Sequence, residues 1–409
     1  MAGTAERVET VVIGAGQAGL ATSYWLRQRG LPHVVLEQAP HLASFWRKRW
    51  NSFTTITPNW SLTLPGFPYT GDDPEGFQSR DELVNHFERF ARSFDAPVRF
   101  GVQVTSLERT PHGGYIVSSA DQTVWQTRNV VVATGAFQRP STPPLATQVP
   151  PTIFQMHTDQ YLSPSQLPVG GALIVGSGSS GCQIAEELRR DGRDVYLCVG
   201  RCWWTRRRYH GKDMEWWWDR LGVFDQTVDA LPASVNRLGC SIVLTGRDGG
   251  RDLNAYALAR DGVVLLGHLK GISGTMVALA PDLRESLAVG DEYAMQFERD
   301  VTEWARKVNM VESLGPSPAD PIPRLESEDM TALDLDRARI RTIIWATGYR
   351  VNFSWIHLPL FDVHGYPSHT RGVTKYPGLF FIGLRWLYTR GSSLIRGVGK
   401  DAQHLVQFI

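Results

Sequence analysis

Apolar residues in this chain gather into short runs that stop at glycine. Val8, Val11, Val12 and Ile13 lead to Gly14, and Ala172-Leu173-Ile174-Val175 leads to Gly176. Such a run, bounded by a turn residue, reads as a strand buried on both faces of a sheet. After each glycine, apolar positions return at helical spacing, from Gln17 through Ala21 and from Cys182 through Leu188. A second apolar strand follows each helix, His33 to Leu36 and Asp194 to Val199. Strand, turn, helix and strand therefore occur twice, which predicts an α/β fold with parallel sheets.

Two further runs, Val130-Val131-Val132 and Ile343-Ile344-Trp345, each end in Ala-Thr-Gly, at Thr134-Gly135 and Thr347-Gly348. They read as the strands that close each unit. Residues 80 to 95 carry apolar positions at helical spacing and read as scaffold. Proline-rich stretches from Arg139 to Pro151 and from Pro316 to Pro323 read as links. The simplest parsing is two Rossmann-like units, the second inserted into the first: residues 1–165 with 335–409, and residues 166–334 with an insertion at 246–287.

The turns carry the chemistry. Gly14-x-Gly16-x-x-Gly19 and Gly176-x-Gly178-x-x-Gly181 fit a strand-to-helix turn that needs φ > 0 and lets a pyrophosphate approach the backbone. The free N–H groups and dipole of each helix start would hold the phosphates, with Gln17 in the first turn and Ser177, Ser179 and Ser180 in the second. Glu37 stands 18 residues after Gly19 at the end of its second strand, where a carboxylate accepts ribose hydroxyls and repels a 2′-phosphate. FAD or NAD, rather than NADP, is expected there. Arg201 stands 20 residues after Gly181, and Arg206, Arg207 and Arg208 follow. A guanidinium grips phosphate, so this site should take NADPH. Arg206 to Arg208 read equally well as a solvated basic patch.

Composition narrows the picture. At 409 residues the chain is long enough for two nucleotide units, and a net charge of +1 leaves no footprint for nucleic acid or an anionic membrane. No apolar run is long enough to span a bilayer and the first residues lack a signal-peptide core, so a cytoplasmic protein is expected. The four cysteines, 182, 198, 202 and 240, form no C-x-x-C pair and have no metal-ligand spacing. That argues against a dithiol reductase and against a bound metal.

With these motifs in place the chain resembles the flavin-containing monooxygenases, the broad group that includes plant YUCCA-type enzymes and relatives of Baeyer–Villiger monooxygenases. The likeness rests on both fingerprints, on Ala346-Thr347-Gly348-Tyr349, and on a partial match to F-x-G-x-x-x-H-x-x-x-[FWY]. In that match His157 and Tyr161 fit, while Pro151 and Ile153 replace the phenylalanine and glycine. The resemblance implies FAD and NADPH as cofactors. NADPH would reduce FAD, O2 would add to the flavin as a C4a-(hydro)peroxyflavin, and one oxygen atom would pass to a small organic substrate by N- or S-oxygenation, Baeyer–Villiger insertion or hydroxylation.

It also implies site residues. Trp46 and Arg47 would lie against the flavin, Asn59 would donate a hydrogen bond near the reacting oxygen, and Val104, Thr134, Gly135, Gly383 and Ile395 would complete the FAD site. Thr347 and Gly348 would belong to the NADP site, and His157 would set the domain linkage. Trp203-Trp204 and Trp216-Trp217-Trp218 read as interface packing, as a substrate channel or as part of a homodimer contact. Two other functions stay open: an NAD(P)H oxidase or electron-transfer reductase without oxygen insertion, and a flavin-bound sensor or scaffold.

Overall fold

The computed structural model describes residues 5–231, 242–310 and 329–409; the proline-rich stretch at 316–323 lies outside them. The chain begins with β1 (Glu6–Ile13), α1 (Gln17–Gln28), β2 (His33–Glu37), the short α2 (Ser44–Arg47) and α3 (Arg80–Ser93). β3 (Val98–Phe100), β4 (Val104–Arg109), β5 (Tyr115–Ser119) and β6 (Val124–Val132) follow, then β7 (Arg139–Pro140) and β8 (Phe154–His157). The second glycine turn joins β9 (Gly171–Val175) to α4 (Ser179–Arg190), which leads to β10 (Val195–Cys198), β11 (Arg208–Tyr209), β12 (Lys212–Asp213) and α5 (Met214–Arg220). α6 (Ala255–Arg260), β13 (Val264–Leu266), β14 (Leu269–Ser273), β15 (Met276–Leu279) and α7 (Leu283–Lys307) make up the next stretch. β16 (Ala332–Asp334), β17 (Ile340–Trp345), β18 (Tyr349–Arg350), β19 (Leu379–Phe381) and α8 (Ile395–Leu405) end it.

These strands form two sheets of matching order. The first runs β3-β2-β1-β6 with β19 parallel to β6, and an antiparallel arm, β5-β4, leaves the other end of β6. The second runs β13-β10-β9-β17-β8 and is parallel throughout. Spatial order is thus repeated, while the outermost strand comes last in the chain in one sheet and first in the other. The architecture is α/β with two Rossmann-like units, the second threaded through the first.

Burial explains the apolar runs. Val11, Val12, Val130, Val131, Ile174, Ile343 and Ile344 are fully buried, as strands covered on both faces require. At about 1.5–3 kcal/mol per large apolar side chain, the two strand cores outweigh any single polar contact. α3 shows the helical spacing expected of residues 80 to 95: it buries Leu83, Val84, Phe87 and Phe90, and Ser79 with Glu82 forms a capping box at its start. α1 and α8 pack together, tied by Trp25 Nε1 donating to Gly399 O and Arg29 to Val406 O.

The sheet edges refine where the chain crosses between units. Phe154–His157 and Ile340–Trp345 pair with each other in the second sheet, so its strands extend past both 165 and 335. The two crossings follow the two Ala-Thr-Gly turns directly and pair with one another as β7 and β18, with Arg139 opposite Arg350. Trp203, Trp216, Trp217 and Trp218 pack into a cluster with Phe224, Ile242, Phe297 and Val301, against which Leu394 also lies, while Trp204 is buried in a separate core cluster.

Candidate nucleotide sites and the seam between them

The three glycines of the first turn meet three different constraints. Gly14 has φ +105°, and a Cβ on it would stand 2.7 Å from Ala133 O. A Cβ on Gly19 would stand 1.8 Å from Gly14 O, so helix and turn are in backbone contact. A Cβ on Gly16 would meet nothing within 4 Å, and that open space lies at the N-terminus of α1, which has no side-chain cap and no acid in its first turn. Uncapped N–H groups beside an open glycine make a phosphate cradle. Glu37 is buried at the end of β2, its carboxylate accepting from Ala15 N at 2.8 Å and Ala39 N at 3.0 Å.

The second turn repeats the first contact for contact. Gly14 N donates to Leu36 O as Gly176 N does to Cys198 O, and Ala133 N to Ile13 O as Ala346 N does to Val175 O. Gly176 has φ +108° with its would-be Cβ 2.6 Å from Ala346 O, and a Cβ on Gly181 would stand 2.0 Å from Gly176 O. Gly178 is the extended N-cap residue of α4, whose first turn also lacks an acid and a side-chain cap. The difference lies where Glu37 would be. Ser177 Oγ accepts from Gly200 N at 2.9 Å in place of the carboxylate contact, and the next residue, Arg201, is exposed with no ion pair among the described residues. Ser179 Oγ donates to Ile242 O, while Ser180 is half-buried on the same turn.

The Ala-Thr-Gly turns lie at the C-terminal ends of β6 and β17. Gly135 and Gly348 have φ +72° and +80°, and the Thr347 hydroxyl donates to Ser141 O. Gln138 Nε2 donates to Thr134 Oγ1 and Gly135 O, and its Oε1 accepts from Asn352 N. His157 is buried, Nε2 3.0 Å from Gly348 O and Nδ1 2.9 Å from Asp159, edge-on to Tyr349. Its ring therefore binds β8 to the second turn. Tyr161 donates to Glu187 on α4 at 2.8 Å, and Ser52 donates to the same carboxylate, so the motif from 157 to 161 anchors the nucleotide helix.

Several expected contacts take another form. Trp46 stacks on Phe87 and leans on Phe53 within the core, and Arg47 pairs with Glu88 and donates to Leu42 O. The Asn59 amide donates to Asp73 O at 2.8 Å, so its NH2 is spent on the adjacent loop, and its Oδ1 is buried without a partner among the described residues. Val104 opens β4 opposite Ser119, whereas Val102 N donates to Glu37 O and stands beside the first site. Arg206 pairs with Glu298 of α7 at 3.1 Å, and Arg207 is buried against Asp213 at 2.8 Å. Arg208 is exposed and lies 4.0 Å from Asp213, so of the four arginines Arg201 alone is exposed with no ion pair among the described residues. Gly383, at φ +78°, sits against Ala18 of α1, and Ile395 opens α8 two residues after Ser393, whose carbonyl accepts from Gln17 Nε2 at 2.5 Å.

Sequence reading missed the wall between the turns. Phe45 stacks on Phe137 at 5.2 Å, Phe137 meets Tyr349 edge-on, and the Arg49 guanidinium lies 4.0 Å from the Phe45 ring centre. Burial pulls the Arg49 cation below its usual range, and its Nε is a buried atom without a hydrogen-bond partner among the described residues. Of these residues only Tyr349 lies in a sequence motif, and tertiary packing brings Phe45, Arg49 and Phe137 to it.

Charge is also buried across the seam. Glu215 of α5 accepts from Ser61 Oγ at 2.7 Å and lies 3.8 Å from Arg396 of α8, which also pairs with Asp219. Burial pushes the Glu215 carboxyl up to about 7, against the opposing pull of Ser61, Arg396 and Arg207. The thiols behave differently from redox groups. Burial raises the pKa of Cys182, whose Sγ faces Ser177 O, and pushes Cys198 up to about 12.

Residues 11–218 match the family described as pyridine nucleotide-disulphide oxidoreductase. An uncharacterized CzcO-like oxidoreductase of Geobacillus kaustophilus is 32% identical over 98% of this chain and 98% of its own. Indole-3-pyruvate monooxygenase YUCCA1 of Oryza sativa is 33% identical over 47% of this chain and 49% of its own. A flavin-containing monooxygenase from Stenotrophomonas maltophilia has the same fold, with a TM-score of 0.65 at 19% identity over 98% of each chain. No helix among the described residues is long and apolar enough to cross a membrane.

Two outcomes follow from this geometry. Gly16→Val places its side chain in open space, so the protein should fold and be recovered colourless, whereas Gly19→Val drives a side chain into Gly14 O and should yield no folded protein. Circular dichroism and flavin absorbance on the purified variants check this; a yellow Gly16→Val protein contradicts the first-site assignment. For Glu215, the raised pKa means the folded state prefers the protonated acid. That stabilisation is whole below the ordinary value of 4.5 and is lost as pH rises through about 7, a change of roughly 3 kcal/mol. Melting temperatures from pH 5 to 8 should fall less steeply for Glu215→Gln than for the parent, and superimposable profiles would contradict it.

Proposed function

The chain belongs to the pyridine nucleotide-disulphide oxidoreductase family, and from that membership we propose that it is an NADPH-dependent flavin monooxygenase acting on a small organic substrate. The observation that carries this reading is the pair of matched glycine turns that differ at one point, a buried carboxylate after the first and an exposed guanidinium after the second. The residues present fit the two groups. Gly16 and the uncapped start of α1 accommodate a pyrophosphate, Glu37 suits ribose hydroxyls, and Arg201 suits a 2′-phosphate beside the uncapped start of α4.

When bound, NADPH supplies a hydride and FAD passes the electrons on to O2. The chain's own part is placement and exclusion of water. His157, fixed between Asp159 and Gly348 O, holds the second turn in register with β8, and Phe45, Phe137 and Tyr349 form an apolar wall between the two turns. Arg49, with an unmatched Nε, offers a buried donor on that wall. Oxygenation rather than disulphide reduction is supported by the inert thiols of Cys182 and Cys198 and by the monooxygenase relatives named above. The buried, unbridged thiols of Cys182 and Cys198 also suit a cytoplasmic location.

The family description favours one second reading, electron transfer to an acceptor without oxygen insertion. Stopped-flow mixing of NADPH-reduced protein with O2 separates the two. The proposal expects an absorbance transient distinct from reduced and oxidised flavin, with peroxide released well below one per NADPH when methyl phenyl sulfide is present. Immediate stoichiometric peroxide, with no sulfoxide, contradicts it. Arg201→Gln should weaken NADPH about 10-fold or more while leaving NADH nearly unchanged, since a charge-assisted phosphate contact contributes about 1.5–3 kcal/mol. Equal loss for both nucleotides would remove Arg201 from the 2′-phosphate site.

A further inference from the structure

Three cations on or beside the C-terminal segment that lines the seam face carboxylates. Arg396 pairs with Asp219, Lys400 with Asp225 at 2.8 Å, and Arg371 with Asp401 at 3.4 Å. Arg390 does not. Its guanidinium lies 4.7 Å from the ring centre of Trp218, 5.9 Å from Trp203 and 5.8 Å from Trp386, with one nitrogen 3.4 Å from the Tyr293 hydroxyl. No carboxylate pairs with it among the described residues.

Aromatic faces attract a cation without offering acceptors to its N–H groups. A guanidinium carries five donors in a planar fork, and Arg390 spends one on a long contact to Tyr293. The side chain is half-buried, as are Trp203, Trp386 and Tyr293, so the fork is held in place and still reachable. Its mounting is rigid. Arg390 N donates to Gln226 O, Val228 N donates to Tyr388 O, and Trp203 stacks on Tyr293 at 5.3 Å. Trp386 is held at φ +53°, a left-handed conformation that a bulky residue adopts only under constraint from its surroundings.

Position gives the cage its meaning. Trp203 lies two residues after Arg201, and Arg390 lies three residues before Ser393, which is bonded to Gln17 at the first glycine turn. The cage therefore spans elements from both nucleotide units. We propose that Arg390 is the substrate-recognition residue of this protein, binding the carboxylate of an organic acid whose aromatic body packs among Trp203, Trp218 and Trp386. This deepens the monooxygenase reading and rests on it for the word substrate. A planar fork matches a carboxylate in bidentate fashion, and indole faces match an aryl ring.

The three tryptophans of the cage are also its reporters. Phenylacetate, its neutral isostere phenylacetamide, and acetate are titrated into the FAD-loaded protein while tryptophan emission is followed, without NADPH. Phenylacetate should saturate, with the amide and acetate each at least about 10-fold weaker, because a charge-assisted fork and an aromatic contact are respectively lost. R390Q should weaken phenylacetate by about 10-fold or more with unchanged FAD content and NADPH affinity, and R390K should fall between, keeping charge without the fork. Absence of saturation by phenylacetate, equal binding of acid and amide, an unchanged R390Q, or loss of NADPH affinity in place of phenylacetate each overturns the proposal. Should R390Q lose FAD, the acid-to-amide ratio on the parent protein and R390K decide it. Because this readout needs neither NADPH nor O2, a protein that binds phenylacetate yet releases all its oxygen as peroxide defeats only the monooxygenase reading.

Discussion

The structure depends on one close approach made twice, the contact between a glycine turn and the alanine that ends the neighbouring strand. At Gly14 and Ala133, and again at Gly176 and Ala346, there is no room for a side chain on the turn. That contact fixes where the helix starts relative to the sheet. It brings a helix N-terminus with no side-chain cap among the described residues to the C-terminal edge of the parallel strands. The Ala-Thr-Gly turn that follows each alanine then sends the chain across to the other unit. Nucleotide site and domain crossing are thus set by the same few atoms.

Joining the units requires polar groups to be buried between them, and several are matched by a partner from the other side. Ser61 serves Glu215, Ser52 serves Glu187, and Arg207 of the second unit donates to Ile56 O of the first. A buried ion pair contributes little net stability, since desolvation offsets attraction, but leaving one partner unpaired costs several kcal/mol. The pairs therefore act on alignment more than on strength: a relative slip of the units exposes each of them to that cost. Glu215 shows the tension, with burial winning over three favourable neighbours and holding its proton near neutrality.

The fate of the electrons is constrained by what lies near the turns. A disulphide reductase needs a reactive thiol beside the flavin, and the cysteines nearest the second turn are buried and disfavour the thiolate. What borders the seam instead is aromatic and cationic: Phe45, Phe137 and Tyr349 on one side, Trp203, Trp218 and Trp386 around Arg390 on the other. Such an aromatic lining suits the oxygen transfer proposed above better than dithiol exchange.

The sequence alone determined the two strand–turn–helix–strand units, the contrast between Glu37 and Arg201, and the helix Arg80–Ser93, because each is a local pattern whose period or spacing reflects backbone geometry. It offered His157 as a residue that sets the domain linkage, and the structure shows its ring held by Asp159 and Gly348 O beside β8. Only the tertiary structure decided that the strands Phe154–His157 and Ile340–Trp345 pair in the second sheet, that Asn59 spends its amide on Asp73, that Arg206 turns to Glu298, and that Val102 stands beside Glu37. The cage around Arg390 joins residues from 203 to 390. Side-chain partners separated by such distances are chosen by packing and by the cost of burying unpaired charge, and neither leaves a trace in local spacing.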